Sequence, residues 1–168
     1  MKLRRDVAGF AVGLLCGGVI FGGVGIASGV IATPLTESSQ KVTLDGQAVS
    51  LEGYNINGSN YFKLRDVAAL LNGTGSQFAL EYDAAARQIV LTTGEAYTPD
   101  GSELSAGEDQ SATAVRSSQS LTIDGESASL TAYNIGGNNY FMLRDLGEAL
   151  GFEVDYDAAT RTMIINSK

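Results

Sequence analysis

Tyr54-Asn55-Ile56-Asn57-Gly58-Ser59-Asn60-Tyr61-Phe62-Lys63-Leu64-Arg65-Asp66 returns as Tyr133-Asn134-Ile135-Gly136-Gly137-Asn138-Asn139-Tyr140-Phe141-Met142-Leu143-Arg144-Asp145, 79 positions later (133 minus 54). A phrase that recurs with its turn residues, aromatics and charges in place obliges both stretches to fold alike. The chain therefore reads as one supersecondary unit built twice. Doubling of this kind points to a modular binding or structural protein, and no catalytic constellation stands beside it.

The likeness runs further in both directions. Val42-Thr43-Leu44-Asp45-Gly46 matches Leu121-Thr122-Ile123-Asp124-Gly125 at the same offset, so one unit is about 50 residues long. After Leu71 and Leu150 the first copy carries Asn72-Gly73-Thr74-Gly75-Ser76-Gln77 where the second has Gly151 alone. The copies then run in step again from Phe78 and Phe152. A loop that admits extra residues is expected to be exposed and dispensable to the fold.

Each copy predicts two strands, a helix and two more strands. Asp45-Gly46 and Asp124-Gly125 lie between short runs of Val, Leu, Ile and Thr, the signature of a two-residue hairpin whose turn needs positive φ twice. Leu64, Val67, Ala68 and Leu71 fall on one face at helical spacing, as do Leu143, Leu146, Gly147 and Leu150. Phe78, Leu80 and Tyr82, like Phe152, Val154 and Tyr156, alternate with smaller or polar residues and predict half-buried strands. Asp83 and Asp157 then open turns into Ile89-Val90-Leu91 and Met163-Ile164-Ile165. The expected fold class is α+β: two homologous units, each an antiparallel β-sheet packed on one short α-helix.

These residues resemble the stalk-type repeats named after the N-terminal domain of copper amine oxidases, which occur in secreted and surface proteins of Gram-positive bacteria. Strand-Asp-Gly-strand, an aromatic-rich strand entering Leu-Arg-Asp, and a helix followed by Phe…Tyr-Asp…Ile carry the resemblance over most of residues 40–94 and 119–168. It implies an antiparallel sheet wrapped on a helix, serving as an appendage without chemistry of its own. The family name is not an activity. Copper amine oxidation needs a separate catalytic domain with imidazole ligands, and this chain contains no histidine. No cofactor is expected.

The N-terminus gives an address. Residues 7–32 carry no charged side chain and follow Lys2, Arg4 and Arg5. About 20 apolar residues cross a bilayer, whereas the apolar part of a signal peptide is about 7–15 long. Residues 1–32 are thus a single-pass anchor with its basic end inside, or a signal peptide cleaved after Val30-Ile31-Ala32; the length favours the anchor. Gly9, Gly13 and Gly17 have the spacing of close-packed membrane helices, so self-association through this segment is a further expectation. Cys16 lacks the small residue that precedes a lipidated cysteine, and no cysteine follows it, so the exported part depends on its core and not on disulfides.

Beyond a short spacer at 33–40, unit 1 is assigned to residues 41–94, a flexible linker to 95–119 and unit 2 to 120–168. Setting aside Lys2, Arg4, Arg5 and Asp6 leaves 8 basic side chains (11 minus 3) and 18 acidic ones (19 minus 1). Nucleic acid is excluded as a partner by that balance, since it requires a clustered basic surface. The linker is rich in Ser, Gly, Thr and Ala. Asp100-Gly101-Ser102-Glu103 within it lacks the ligand spacing of a calcium loop.

Arg65 and Arg144 stand at the start of each helix, where they are expected to reach Asp83 and Asp157 and tie helix to hairpin. The competing reading places Arg65 and Arg144 with Tyr54, Tyr61, Tyr133 and Tyr140 on a polar and aromatic face that stacks on sugars or holds cell-wall peptide carboxylates. The sequence as a whole reads as an extracytoplasmic, non-catalytic module, membrane-anchored or secreted, that binds the cell wall or acts as a spacer. A purely structural, self-associating stalk is the alternative.

Overall fold

A computed structural model describes residues 32–105 and 113–168. The first part contains strands β1 (Ala32–Pro34), β2 (Thr36–Glu37), β3 (Lys41–Leu44), β4 (Gln47–Val49), β5 (Gly53–Ile56) and β6 (Ser59–Lys63). Helix α1 (Leu64–Leu71), β7 (Phe78–Asp83) and β8 (Gln88–Thr93) follow. The second part contains β9 (Thr113–Arg116), β10 (Ser120–Ile123), β11 (Glu126–Ala128), β12 (Ala132–Ile135) and β13 (Asn138–Met142). It ends in helix α2 (Leu143–Leu150), β14 (Glu153–Asp157) and β15 (Thr162–Asn166). The fold is α+β, rich in strand, with several sheets and two short helices.

The turn chemistry behaves as expected. Asp45 and Gly46 have φ of 49° and 81°, and Asp124 and Gly125 have 52° and 83°, so both hairpins close through residues that tolerate the left-handed region. The apolar faces of both helices are buried throughout.

The central sheet runs β1-β9-β12-β13-β6-β5-β2, every neighbouring pair antiparallel. Its two edge strands are separated in the chain by Leu35 alone. Pro34 and Thr36 can be no more than about 7 Å apart, so β1 and β2 are halves of one bent segment and the sheet closes on itself. Closure makes the sheet a barrel whose edge strands, β1 and β2, follow each other in the chain. The residues assigned to a spacer before the first unit thus supply the last stave.

Side chains alternate across this barrel wall. Tyr54, Ile56, Tyr61, Tyr133, Ile135 and Tyr140 form one buried cluster with Ala114 on its inner face. Phe62 and Phe141, which pair across the β6–β13 ladder, belong to the other face and to a second core. There they meet Leu64, Val67, Leu71, Leu143, Leu146 and Ile165. Burying each such ring or aliphatic side chain stabilises the fold by about 1.5–3 kcal/mol.

The two outer sheets correct the expectation of one antiparallel sheet per unit. One runs β11-β10-β8-β7 and the other β14-β15-β3-β4. β10 lies parallel to β8, Leu121 opposite Ile89, and β3 lies parallel to β15, Val42 opposite Met163. The leading hairpin of each copy of the repeat has therefore left its own copy and joined the closing hairpin of the other. A parallel pair cannot be made by a tight turn, and here the barrel strands and a helix make the long crossovers.

Two further expectations change. The extra loop at 72–77 is not exposed throughout: Ser76 is buried and its Oγ accepts the Lys168 N–H at 2.9 Å. The linker is structured in part, since β9 belongs to the barrel and residues 95–104 fold back on α1. The anchor or signal segment lies outside the described residues, save Ala32; among the described residues no helix is long and apolar enough to cross a membrane.

Candidate binding site

The six residues singled out in sequence do not form one face. Tyr54 packs on Tyr140 with ring centroids 5.5 Å apart, and Tyr61 on Tyr133 at 5.1 Å with the rings nearly perpendicular. Edge contacts of this kind suit the ring quadrupoles. All four rings are buried on the inner face of the barrel, 3–8% exposed, and cannot stack on a sugar. Burial, more than the neighbouring Tyr133 and Asp145, pushes the Tyr61 phenol up, with Arg116 offsetting part of the effect.

The arginines also depart from expectation. Asp83 Oδ1 accepts the N–H groups of Ala85 and Ala86 at 2.9 and 3.0 Å, and Asp157 Oδ1 accepts that of Ala159 at 2.9 Å. Each carboxylate is spent on its own turn, because a short side chain reaches the next amides more readily than a distant guanidinium. Arg65 instead pairs through Nη1 with Asp100. Arg144 is exposed and lines a shallow depression with Glu148, Phe152 and Asp155.

Asp100 belongs to a strap at residues 95–104 that lies along α1. Asn72, from the extra loop, holds Tyr97 at both ends: its Oδ1 accepts the Tyr97 N–H at 3.1 Å and its Nδ2 donates to the Tyr97 carbonyl at 2.9 Å. The Tyr97 ring is buried and its hydroxyl donates to Glu103 Oε1 at 2.6 Å. Glu103 also accepts the N–H groups of Asp100 and Gly101. Buried Asp66, in the first turn of α1, accepts the Leu104 N–H at 3.0 Å. Ser102, through hydroxyl and N–H, and then Arg65 hold the Asp100 carboxyl well below the usual carboxylate range. Burial and the bond to Glu103 push the Tyr97 phenol far up.

The strap walls one side of a cleft of about 440 Å³. Arg65 and Leu64 at the head of α1 form its floor side, Tyr82 of β7 stands on the rim, and Gln119 with Gly137, Asn138 and Asn139 closes the far side. Residues on one wall come from the first copy and the strap, and on the other from Gln119 and the β12–β13 turn of the second copy. A relay joins the walls. Ser117 Oγ donates to Asn139 Oδ1 at 3.3 Å, Asn139 Nδ2 to Gln119 Oε1 at 2.8 Å, and Gln119 Nε2 to the Tyr82 hydroxyl at 3.2 Å.

By the repeat, the counterparts of Tyr82, Gln119, Gly137 and Asn139 are Tyr156, Gln40, Gly58 and Asn60, and their hydrogen bonding differs. Ser38 Oγ donates to Asn60 Oδ1 at 3.2 Å as its counterpart does, but that oxygen also takes Asn55 Nδ2 at 3.2 Å. Among the described residues Gln40 Oε1 is buried without a hydrogen-bond partner.

Among the described residues no three Asp, Glu, Cys or His side chains gather as a metal site. Sequence reasoning missed Tyr82 and Gln119. Tyr82 shares the alternation of Phe78 and Leu80, yet it is 51% exposed because β7 runs out beyond the core. The recurrence of Tyr82 as Tyr156 and of Gln119 as Gln40 was the available signal. No protein-family model, curated protein or solved structure matches the chain.

Proposed function

We propose that the protein is a non-catalytic extracytoplasmic module of two homologous stalk-type units, tethered to the membrane or secreted, that binds the bacterial cell wall. The observation that carries this reading is the cleft between the copies, with an exposed tyrosine, three amide side chains and an ion-paired arginine around it. Pockets of this composition hold and orient a ligand. The uses of the carboxylates support the absence of catalysis. Asp83 and Asp157 cap turns, Asp66 and Glu103 hold the strap, and Asp45 and Asp124 hold strand ends. Groups fixed in this way are poorly placed for proton transfer to a substrate.

Exchange of hairpins favours a second component of the same reading, a rigid spacer. Neither copy can swing away from the other without breaking a parallel strand pair. Incubation of residues 33–168 with purified cell walls tests the proposal: retention in the pellet, competed by soluble wall fragments, is expected. Absence of retention leaves the self-associating stalk as the function.

A further inference from the structure

The chemistry of the cleft selects among wall components, and this step rests on the binding function proposed above. Three observations bear on ligand charge. Arg65 is already paired with Asp100, and Glu81 stands on the cleft lining, so an anion would meet a compensated guanidinium and a bare carboxylate. The remaining polar groups are neutral: Gln119, Asn138, Asn139 and the Tyr82 hydroxyl.

The relay also leaves bonding capacity at the surface of the cleft. A primary amide has two N–H donors, and Asn139 and Gln119 each use one within the relay. The Tyr82 oxygen accepts from Gln119, which turns its own hydrogen away from that bond. Beside these donors lies the half-exposed Tyr82 ring, an apolar plate with a polar edge. Hydroxyl-rich rings have that combination of an apolar C–H face and neutral hydrogen-bonding edges.

We infer that the cleft between Arg65, Tyr82, Gln119 and Asn139 is a binding site for a neutral saccharide, stacked on Tyr82 and hydrogen-bonded by the Gln119 and Asn139 amides, and that the chain carries one such site and not two. The volume of about 440 Å³ lies toward the lower end for ligand pockets and suits a short stretch of glycan. At the pseudo-equivalent position Asn60 Oδ1 also takes Asn55 Nδ2, and among the described residues the buried Gln40 Oε1 has no hydrogen-bond partner, so the Asn–Gln leg of the relay is not formed there.

The test titrates the full chain, in a detergent with a zwitterionic, sugar-free head group, with the neutral trimer of N-acetylglucosamine and with a galacturonate trimer as the anionic probe. Calorimetry should give saturable binding of the neutral trimer at one site per chain, with the galacturonate much weaker. Tyr82→Ala should weaken binding about tenfold or more, whereas Tyr156→Ala should leave it unchanged. The side-chain amide resonances of Gln119 and Asn139 should shift on titration. Tyr82→Phe, which keeps the ring, retains most of the affinity and guards against a folding artefact in the alanine variant. Preference for the anionic trimer, binding indifferent to Tyr82→Ala, or two sites with one lost in Tyr156→Ala overturns the inference. Wall retention of the chain without affinity for the neutral trimer also overturns it, while leaving the proposed function in place.

Discussion

Asp45 and Ser167 lie 122 positions apart, yet Asp45 Oδ1 accepts the Ser167 N–H and its Oδ2 the Ser167 hydroxyl, each at 2.8 Å. Asp124 holds Thr93 in the same way, at 2.8 and 2.7 Å. The Asp of each Asp-Gly turn thus does two things: it takes the positive φ of the hairpin and fastens the end of the strand received from the other copy.

Asp45→Ala should lower the melting temperature and speed amide exchange in β3 and β15 while sparing the barrel strands. An Asp45→Asn variant, which keeps the turn and one acceptor oxygen for Ser167 but replaces the other with an amide donor, should fall between it and the parent. Equal protection loss across the whole chain would show that the clamp is not local.

Residues 41–94 alone should not fold cooperatively. Their β3–β4 hairpin has lost its β15 partner and β8 has lost β10, which leaves three hairpins and a helix with little to bury. The whole of 33–168 should instead melt in one transition. Two resolved calorimetric transitions, or a sigmoidal unfolding curve for 41–94, would refute hairpin exchange in solution.

Gly147→Ala sets two effects against each other. Alanine in a helix interior is worth about 1 kcal/mol over glycine. A Cβ at Gly147 would, however, lie 2.7 Å from the Phe152 carbonyl oxygen and 3.0 Å from Val154 Cγ2. Overpacking typically costs about 1–3 kcal/mol, so net destabilisation of roughly 0–2 kcal/mol is expected by denaturant titration. The matching residue of the first copy is already Ala68, which is buried.

Acid should release the strap before it unfolds the barrel. Asp100 and Glu103 are held below their usual range, Asp100 by Ser102 and Arg65, Glu103 by Tyr97 and backbone N–H groups that outweigh the effect of burial. A carboxylate whose folded pKa is depressed contributes stability that is complete above its unfolded value, about pH 4, and is lost as pH falls through the lower folded value. The Gly101 and Tyr97 amide resonances should therefore hold steady from pH 7 to about 5 and move only below about 4. Movement between pH 5 and 7 would contradict this arrangement.

Local structure was legible in the residues. Asp-Gly and Asn-Gly turns demand positive φ, helical spacing of Leu64, Val67, Ala68 and Leu71 demands one buried face, and the doubled phrase demands that both stretches repeat these elements. Such features are settled within a few residues of one another. Partner choice is not. Val42-Thr43-Leu44 and Leu121-Thr122-Ile123 present equivalent side chains to Ile89-Val90-Leu91 and Met163-Ile164-Ile165, so pattern alone cannot tell a copy's own strand from its twin's. Tertiary structure decided that exchange, and with it the closing of the barrel over the four tyrosines and the cleft at Tyr82 and Gln119. The strap was hidden for another reason: its order comes from Asn72, Asp66 and Arg65, three contacts on α1 and the extra loop that hold a segment with little apolar content of its own beyond Tyr97.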